Sequence, residues 1–382
     1  MANRTRKAKS SASGISILSG ADAHIDRKGS LEEGTARINE MVDLCNEHKV
    51  DLLLLAGDTF DTGKPSSEAV GRLYDAFNRL DGTKVVLEDG NHDQSSVTGD
   101  HRTPTEVYFQ DHPNVYAASS RAEVVDYNGF GICLLPWMRV AARSRAEDVQ
   151  DEIEREIERM FNEVSGMPSI FLSHLTVSEA GFNSGLRGTE LHSMTEAVEA
   201  MVPVDLLDAG PTAINRLGHI HKRQQITEKT GYEGSTYKTE FGESDKYVSL
   251  IHISDDNEAS LEPILLNSRQ FHQLDLRELS KADIIDTIRT AGDNDRFRFL
   301  TDSDGSPLWL RDEIDKMREN GISPQTYSER KPRSETVMRM SSEAMRTLSP
   351  IEALREYMDL QNIKGKSARD SIEAGFSEII SR

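Results

Sequence analysis

Five short segments collect the residue types that bind divalent cations: Asp22-Ala-His24, Gly57-Asp58-Thr-Phe-Asp61, Gly90-Asn91-His92-Asp93, Ser173-His174 and Gly218-His219-Ile-His221. Imidazole nitrogens with carboxylate and carboxamide oxygens suit manganese, iron or zinc, and one carboxylate can bridge two ions. Two ions ~3.5–4 Å apart can clamp both the attacking water and the phosphoryl oxygens of an in-line displacement, so the chemistry suggested is phosphoester hydrolysis. Each segment is weak taken alone. His-x-His is more often a surface or core pair, and Gly-Asp-x-x-Asp or Gly-Asn-His-Asp suits an ordinary polar turn. Together they use five of the chain's 11 histidines in one ordered series, which chance does not readily supply.

The elements that must position them are legible as short apolar runs. Strands are predicted at Ile15–Leu18, Leu52–Leu55, Lys84–Leu87, Gly131–Leu135, Ser169–Leu172, Asn215–Leu217 and Tyr247–Ile253, each closed by polar or glycine-containing residues. Helices are predicted over Leu31–Lys49, Ser66–Leu80 and Glu147–Val164. In the last, Val149, Ile153, Ile157, Phe161 and Val164 recur at three- to four-residue spacing, the stripe of a helix lying on a sheet. Strand–helix alternation over this span predicts a layered α/β domain. Each of the five segments follows a strand, and loops at the carboxyl ends of strands form the ligand crevice of such sheets. In Asp-x-His and His-x-His, residues two apart on an extended backbone face the same way. Gly57, Gly90 and Gly218 permit tight turns and close backbone approach.

Residues 1–13, with Arg4, Arg6, Lys7 and Lys9, read as a disordered basic tail, and 14–266 as the main domain. Residues 267–331 form a small α/β unit, with strands at Phe271–Leu276 and Arg296–Thr301 and helices at Lys281–Ala291 and Pro307–Glu319. The stretch Glu329–Glu335 resembles a linker, and 332–382 as a whole reads as linker plus a helical segment in which Ala344, Leu348, Ile351, Leu354 and Tyr357 keep helical spacing. Such a face packs on its own domain or docks on a partner.

Composition narrows the class. At 36% hydrophobic and 29% charged the chain reads as globular, and no apolar run approaches the ~18 residues of a spanning helix. Cys45 and Cys133 are the only cysteines, which excludes a disulfide scaffold and suits a reducing cytoplasm. The net charge of −20 argues against passive coating of nucleic acid, which calls for a basic surface. It leaves open an enzyme whose local field is set by bound cations.

The ordered motif set resembles the calcineurin-like metallophosphoesterase superfamily, and within it the SbcD family of DNA-repair nucleases (Mre-eleven-like). The narrower likeness rests on Gly57-Asp-Thr-Phe-Asp-Thr-Gly-Lys-Pro-Ser66 and on Tyr232-Glu-Gly-Ser-Thr-Tyr-Lys-Thr-Glu-Phe-Gly-Glu243. It departs from that family where Ile25 and Asp26 follow the first motif and where Glu88 and Asp89 precede Gly90. The resemblance implies a β-sandwich flanked by helices, with the 267–331 unit capping a DNA cleft. It implies two divalent metal ions, manganese by the family's habit: one held by Asp22, His24, Asp58 and His221, the other by Asp58, Asn91, His174 and His219. His92 would face the substrate and assist the leaving oxygen, with the Asp61 carboxylate orienting it; Asp93 reads as structural, a carboxylate after the loop that also suits a helix cap. The implied function is 3′-to-5′ exonuclease and single-strand endonuclease action on DNA in repair or recombination, as a homodimer. An SbcC-type (Rad-fifty-like) coiled-coil ATPase would be gripped by the C-terminal helices. A metallophosphoesterase for a small phosphodiester or a phosphoprotein is the second reading, and a non-catalytic DNA-end-binding subunit the third. Arg27, Lys28, Lys64, Arg102, Arg187, Lys222, Arg223 and Lys238 lie near the motifs as phosphate contacts or, by default, solvated surface.

Overall fold

The computed structural model describes residues 14–94, 103–118, 121–138, 146–180, 200–292, 295–300, 308–319 and 325–326. The basic tail, the helical segment after residue 331, and Arg102 and Arg187 lie outside the described residues.

The chain opens with β1 (Ile15–Gly20), α1 (Leu31–His48), β2 (Leu52–Ala56), α2 (Ser67–Asn78), β3 (Lys84–Glu88), α3 (Pro104–Phe109) and β4 (Val115–Ala117). It continues through β5 (Glu123–Tyr127), β6 (Phe130–Leu135), α4 (Ala146–Glu163), β7 (Ser169–Ser173), β8 (Thr176–Val177), β9 (Met201–Val202), α5 (Val204–Asp208), β10 (Ile214–Leu217), β11 (Gln224–Gln225) and β12 (Thr230–Tyr232). A hairpin of β13 (Tyr247–Ile253) and β14 (Ala259–Leu265) follows. Last come β15 (Phe271–Asp275), α6 (Lys281–Thr290), β16 (Arg296–Leu300), α7 (Leu308–Glu319) and β17 (Gln325–Thr326).

Two six-stranded sheets form the body, in the orders β14-β13-β1-β2-β3-β4 and β11-β12-β10-β7-β6-β5. Within them β1, β2 and β3 run parallel, as do β6, β7 and β10. Strands buried on both faces read as continuous apolar runs, which is why Leu52–Ala56 and Phe130–Leu135 are buried at every position. One apolar layer, with Ile17, Leu54, Val86, Leu134, Ile170 and Ile214, takes residues from both sheets. A second joins the first sheet to α1, α2 and α3, and a third joins the other sheet to α4. The result is a helix–sheet–sheet–helix sandwich, in which each buried Leu or Ile contributes about 1.5–3 kcal/mol.

Local chemistry sets the helix ends. Ser66 and Thr103 accept the backbone N–H three residues on, from Ala69 and Glu106, and Lys49 closes α1 in the left-handed conformation. The three-stranded parallel sheet β15-β16-β17 carries α6 and α7 around its own core of Leu274, Ile284, Phe297, Phe299, Leu310 and Ile314. It is tied to the body at α1. The Arg269 N–H donates to Glu33 and the Asn267 N–H to Glu40, while Arg269 Nη2 reaches Ser30.

Candidate metal centre

Every one of the five segments leaves the carboxyl end of a parallel strand: β1, β2 and β3 in the first sheet, β7 and β10 in the second. The first two loops are pinned to each other. The N–H groups of Asp22, His24 and Ile25 donate to the carbonyls of Gly57, Asp58 and Thr59 at 3.1, 2.9 and 2.9 Å.

Strand alternation does not aim the ligand candidates. Asp22, His24, Asp58 and His219 have φ of 52°, 37°, 49° and 85°, so these pairs ride on left-handed, kinked backbone instead of the extended backbone expected from the sequence. Asp and His are among the residues that visit this region most readily, at ~1–3 kcal/mol of strain each. The glycines make room. A Cβ at Gly57 (φ 81°) would sit 2.2 Å from His174 Nδ1, one at Gly90 2.1 Å from Asp58 Oδ1, and one at Gly218 1.9 Å from the Ala56 carbonyl.

Around this backbone the side chains converge in two lobes. In one, His24 Nε2 and His221 Nε2 are 2.9 Å apart, and Asp22 Oδ1 lies 4.0 and 3.9 Å from them. In the other, Asn91 Oδ1 is 3.2 Å from His174 Nε2 and 3.1 Å from His219 Nδ1. Asp58 Oδ2 stands between, 3.6 Å from His24 Nε2 and 3.3 Å from His174 Nε2. Its other oxygen accepts the His92 N–H at 2.8 Å. Asp22, His24, Asp58 and His174 are almost wholly buried.

This arrangement suits cations. His174 Nδ1 is 2.8 Å from the Ala56 carbonyl, which places its proton there. The Nε2 lone pair is thereby aimed at two acceptor oxygens, those of Asp58 and Asn91. Likewise Asp61 Oδ1 lies 3.2 Å from His24 Nδ1, turning the Nε2 lone pair toward His221. Lone pairs facing lone pairs repel unless a positive charge sits among them, and the clustered His and Asp side chains fit a dimetal site.

Protonation follows the same logic. Burial opposes the charge on Asp58, yet the His174, His24 and His92 imidazoles hold its carboxyl well below the usual range. Against the same penalty, Asp58 and Asp22 drive His174 up to about 10. Burial raises Asp22, and burial with the nearby His24 depresses His221. With His174 holding positive charge against Asp58 and Asp22, the carboxylates draw into the cluster the charge that a cation would supply.

Two expected roles change. The Asp61 carboxylate contacts His24, while His92 Nδ1 lies 3.0 Å from the Asp61 backbone carbonyl. Asp61 therefore orients His92 through its main chain, leaving Nε2 of that partly exposed ring available. Asp93 is structural, but among the described residues it caps loops and not a helix. Its buried carboxylate accepts the N–H groups of Thr59, Phe60 and Gly90 at 3.1, 2.9 and 3.0 Å, joining the second motif to the third.

Sequence reasoning missed the braces behind the ligands. The Tyr237 hydroxyl donates to the His24 carbonyl at 3.0 Å. Lys246 Nζ donates to the His221 carbonyl at 3.0 Å, bonds Ser235 and pairs with Glu243. The Gly-Ser segment therefore runs behind both His24 and His221, its Ser235 bridged to Ala21. The one sequence signal was the unusual polarity of that segment. Lys222 and Arg223 flank it, and the Arg223 guanidinium is committed to buried Glu233 and to Ser249, and Lys238 to Asp245 and Gln270. Both cysteines are buried, which pushes each thiol up to about 12, so neither is a nucleophile at neutral pH.

A family model described as calcineurin-like phosphoesterase matches residues 17–223. Among solved structures the chain is similar to TT1561 of Thermus thermophilus, at 14% identity and a TM-score of 0.38, over 65% of this chain and 99% of that one. It is similar to a dimetal phosphatase from Danio rerio at 10% identity and 0.39, over 65% and 98%. A cold-active protein-tyrosine phosphatase of a psychrophilic Shewanella gives 12% and 0.31, over 65% and 80%. Overlaps this loose carry no argument. The family match, spanning more than half the chain, does. Among the described residues no helix is long and apolar enough to cross a membrane.

Proposed function

Because the chain belongs to the calcineurin-like phosphoesterase family, and so to metal-dependent phosphoester hydrolases, we propose that it is a two-metal DNA nuclease of SbcD type. One observation carries the reading: two lobes of lone pairs meet at Asp58, with the His92 ring against His24 and its N–H anchored on Asp58. In this reading Asp22, His24, Asp58 and His221 hold one ion, and Asp58, Asn91, His174 and His219 the other, with manganese as the working choice. Divalent cations bound there supply Lewis acidity toward the phosphoryl oxygens and the attacking water.

The chain's own residues do the rest. Asp58 keeps the lobes at a fixed separation, and its fixed oxygen anchors the main chain of His92. The Asp61 carbonyl holds the His92 proton on Nδ1, so Nε2 is the nitrogen that serves the departing sugar oxygen. Asp61, through His24 Nδ1, and the Ala56 carbonyl, through His174 Nδ1, fix the tautomers of two ligands, the usual duty of outer carboxylates and carbonyls.

DNA as the substrate is supported by the small α/β unit docked beside α1 and by the Gly-Ser segment behind the ligands, neither of which a small phosphoester needs. In the same proposal this unit, within 267–331, caps the DNA cleft. The segment 332–382 grips an SbcC-type ATPase, and the protein acts as a homodimer in repair or recombination.

Digestion of labelled single- and double-stranded DNA with manganese, beside a small chromogenic diester, tests the substrate. His92→Ala is expected to lower DNA hydrolysis at least about a hundredfold while two equivalents of metal still bind by calorimetry. Cleavage of the small diester alone, with DNA left intact, would falsify the nuclease reading and favour a small-phosphodiester enzyme.

A further inference from the structure

Arg27 closes the turn that leaves the first motif, its N–H donating to the His24 carbonyl at 3.1 Å. The side chain is half-buried, and guanidinium Nη1 is shielded from solvent with no hydrogen-bond partner. Nearby acids are engaged elsewhere. Asp26 accepts from the Ser66 N–H, Asp61 contacts His24, and Glu33 accepts from the Arg269 N–H. Arg27 lies close enough to the His221 imidazole, the Arg269 guanidinium and the buried Tyr237 phenol to act on each. Arg296 adds a further positive charge against Arg269 while bonding the Gly29 carbonyl in the same turn.

A shielded donor without an acceptor is costly, more so among like charges. What it lacks is an anion, and the planar fork of a guanidinium matches phosphate oxygens in pairs. The position says which phosphate. Arg27 sits on the turn that leaves His24, its N–H on the His24 carbonyl, and bears on His221, so it lies at the His24–His221 flank of the cluster.

We infer that Arg27 binds a phosphate of the substrate next to the one being hydrolysed, so that the site selects a chain of phosphodiesters over an isolated phosphoester. This rests on the nuclease reading and deepens it. Arg269 and Arg296 set the positive field, and their hydrogen bonds to Ser30 and Gly29 hold the Arg27 turn in place. The field is local, which reconciles a polyanionic substrate with an acidic chain.

The test compares wild type, Arg27→Ala and Arg27→Lys with manganese, on an oligothymidylate and on bis(p-nitrophenyl) phosphate, which carries one phosphate only. Arg27→Ala is expected to raise KM for the oligonucleotide about tenfold with little change in kcat. The loss on the oligonucleotide should exceed that on the small diester at least about fivefold, and Arg27→Lys should recover part of it. The salt dependence of oligonucleotide binding should flatten by about one charge. Equal losses on both substrates, or an unchanged oligonucleotide KM, overturn the inference. If wild type leaves the oligonucleotide intact, its competitive inhibition of small-diester hydrolysis is measured instead. Inhibition weakened by Arg27→Ala then upholds the phosphate site while the nuclease reading falls, and absence of inhibition in wild type defeats both.

Discussion

Asp93 shows how much one carboxylate can organise. It satisfies three buried N–H groups from two loops, and each left without an acceptor costs about 1–3 kcal/mol. Asp93→Ala is expected to lower stability by at least about 2 kcal/mol and to weaken metal binding, read by chemical denaturation and by metal titration. That these side chains would gather at one end of the sheets was legible in the sequence, as an ordered series of Asp, Asn and His each following a strand. The duties of Asp93 and Asp61 were not, since both depend on which main-chain atoms another loop brings near.

Glu88 makes a second case at this scale. Burial, then the neighbouring Asp89, pushes its carboxyl well above the ordinary value of 4.5, and one of its oxygens has no partner. The folded carboxyl keeps a proton that the unfolded one releases, so folding binds protons and stability falls as pH rises from 4.5 toward the folded value. Glu88→Gln removes that penalty. Its Tm should exceed the wild-type Tm by a margin that grows from about pH 5 to about pH 8, and a flat or reversed difference in thermal melts would show that Glu88 is ionised in the fold.

For the elements, the predicted apolar strands and the three amphipathic helices agree with the structure to within one or two residues. Runs such as Leu52–Ala56 are buried on both faces and advertise themselves. The strands that escaped include β5, whose Glu123 and Asp126 interrupt the apolar pattern on a half-buried face, the largely exposed β14, and short pieces such as β11 and β12. Those are held by pairing that sequence periodicity does not encode. Also illegible was the left-handed backbone under four ligand candidates, because propensity speaks to what a residue tolerates and not to what its neighbours impose. The loop glycines are where that geometry is most exposed to change. Gly57→Ala puts a methyl into the His174 ring at a φ of 81°. It should destabilise the fold by more than the ~1 kcal/mol of a mere αL penalty and abolish binding of at least one metal equivalent, as calorimetry would report.

For the whole molecule, the small α/β unit has its own core and, among the described residues, meets the body through polar links centred on Arg269 and through Phe271 and Arg298 against Phe241. The Arg269 guanidinium bonds Ser30 and the Lys238 carbonyl and lies 5.2 Å from the Tyr237 ring centroid. Arg269→Ala should leave each core intact but loosen the joint, so that limited proteolysis cuts between them faster than in wild type. Unchanged cutting would place the cohesion elsewhere.

The cluster is split between the two sheets, with Asp22, His24, Asp58 and Asn91 on one and His174, His219 and His221 on the other. Ions seated there would act as rivets through the seam of the sandwich, at the rim where the apolar layer gives way to loops. Chelation should then be felt as a parting of the halves. Amide protons of β2 and β7 near the rim would exchange with deuterium sooner, while the opposite edge of the seam, around Ile15 and Phe130, stays shut.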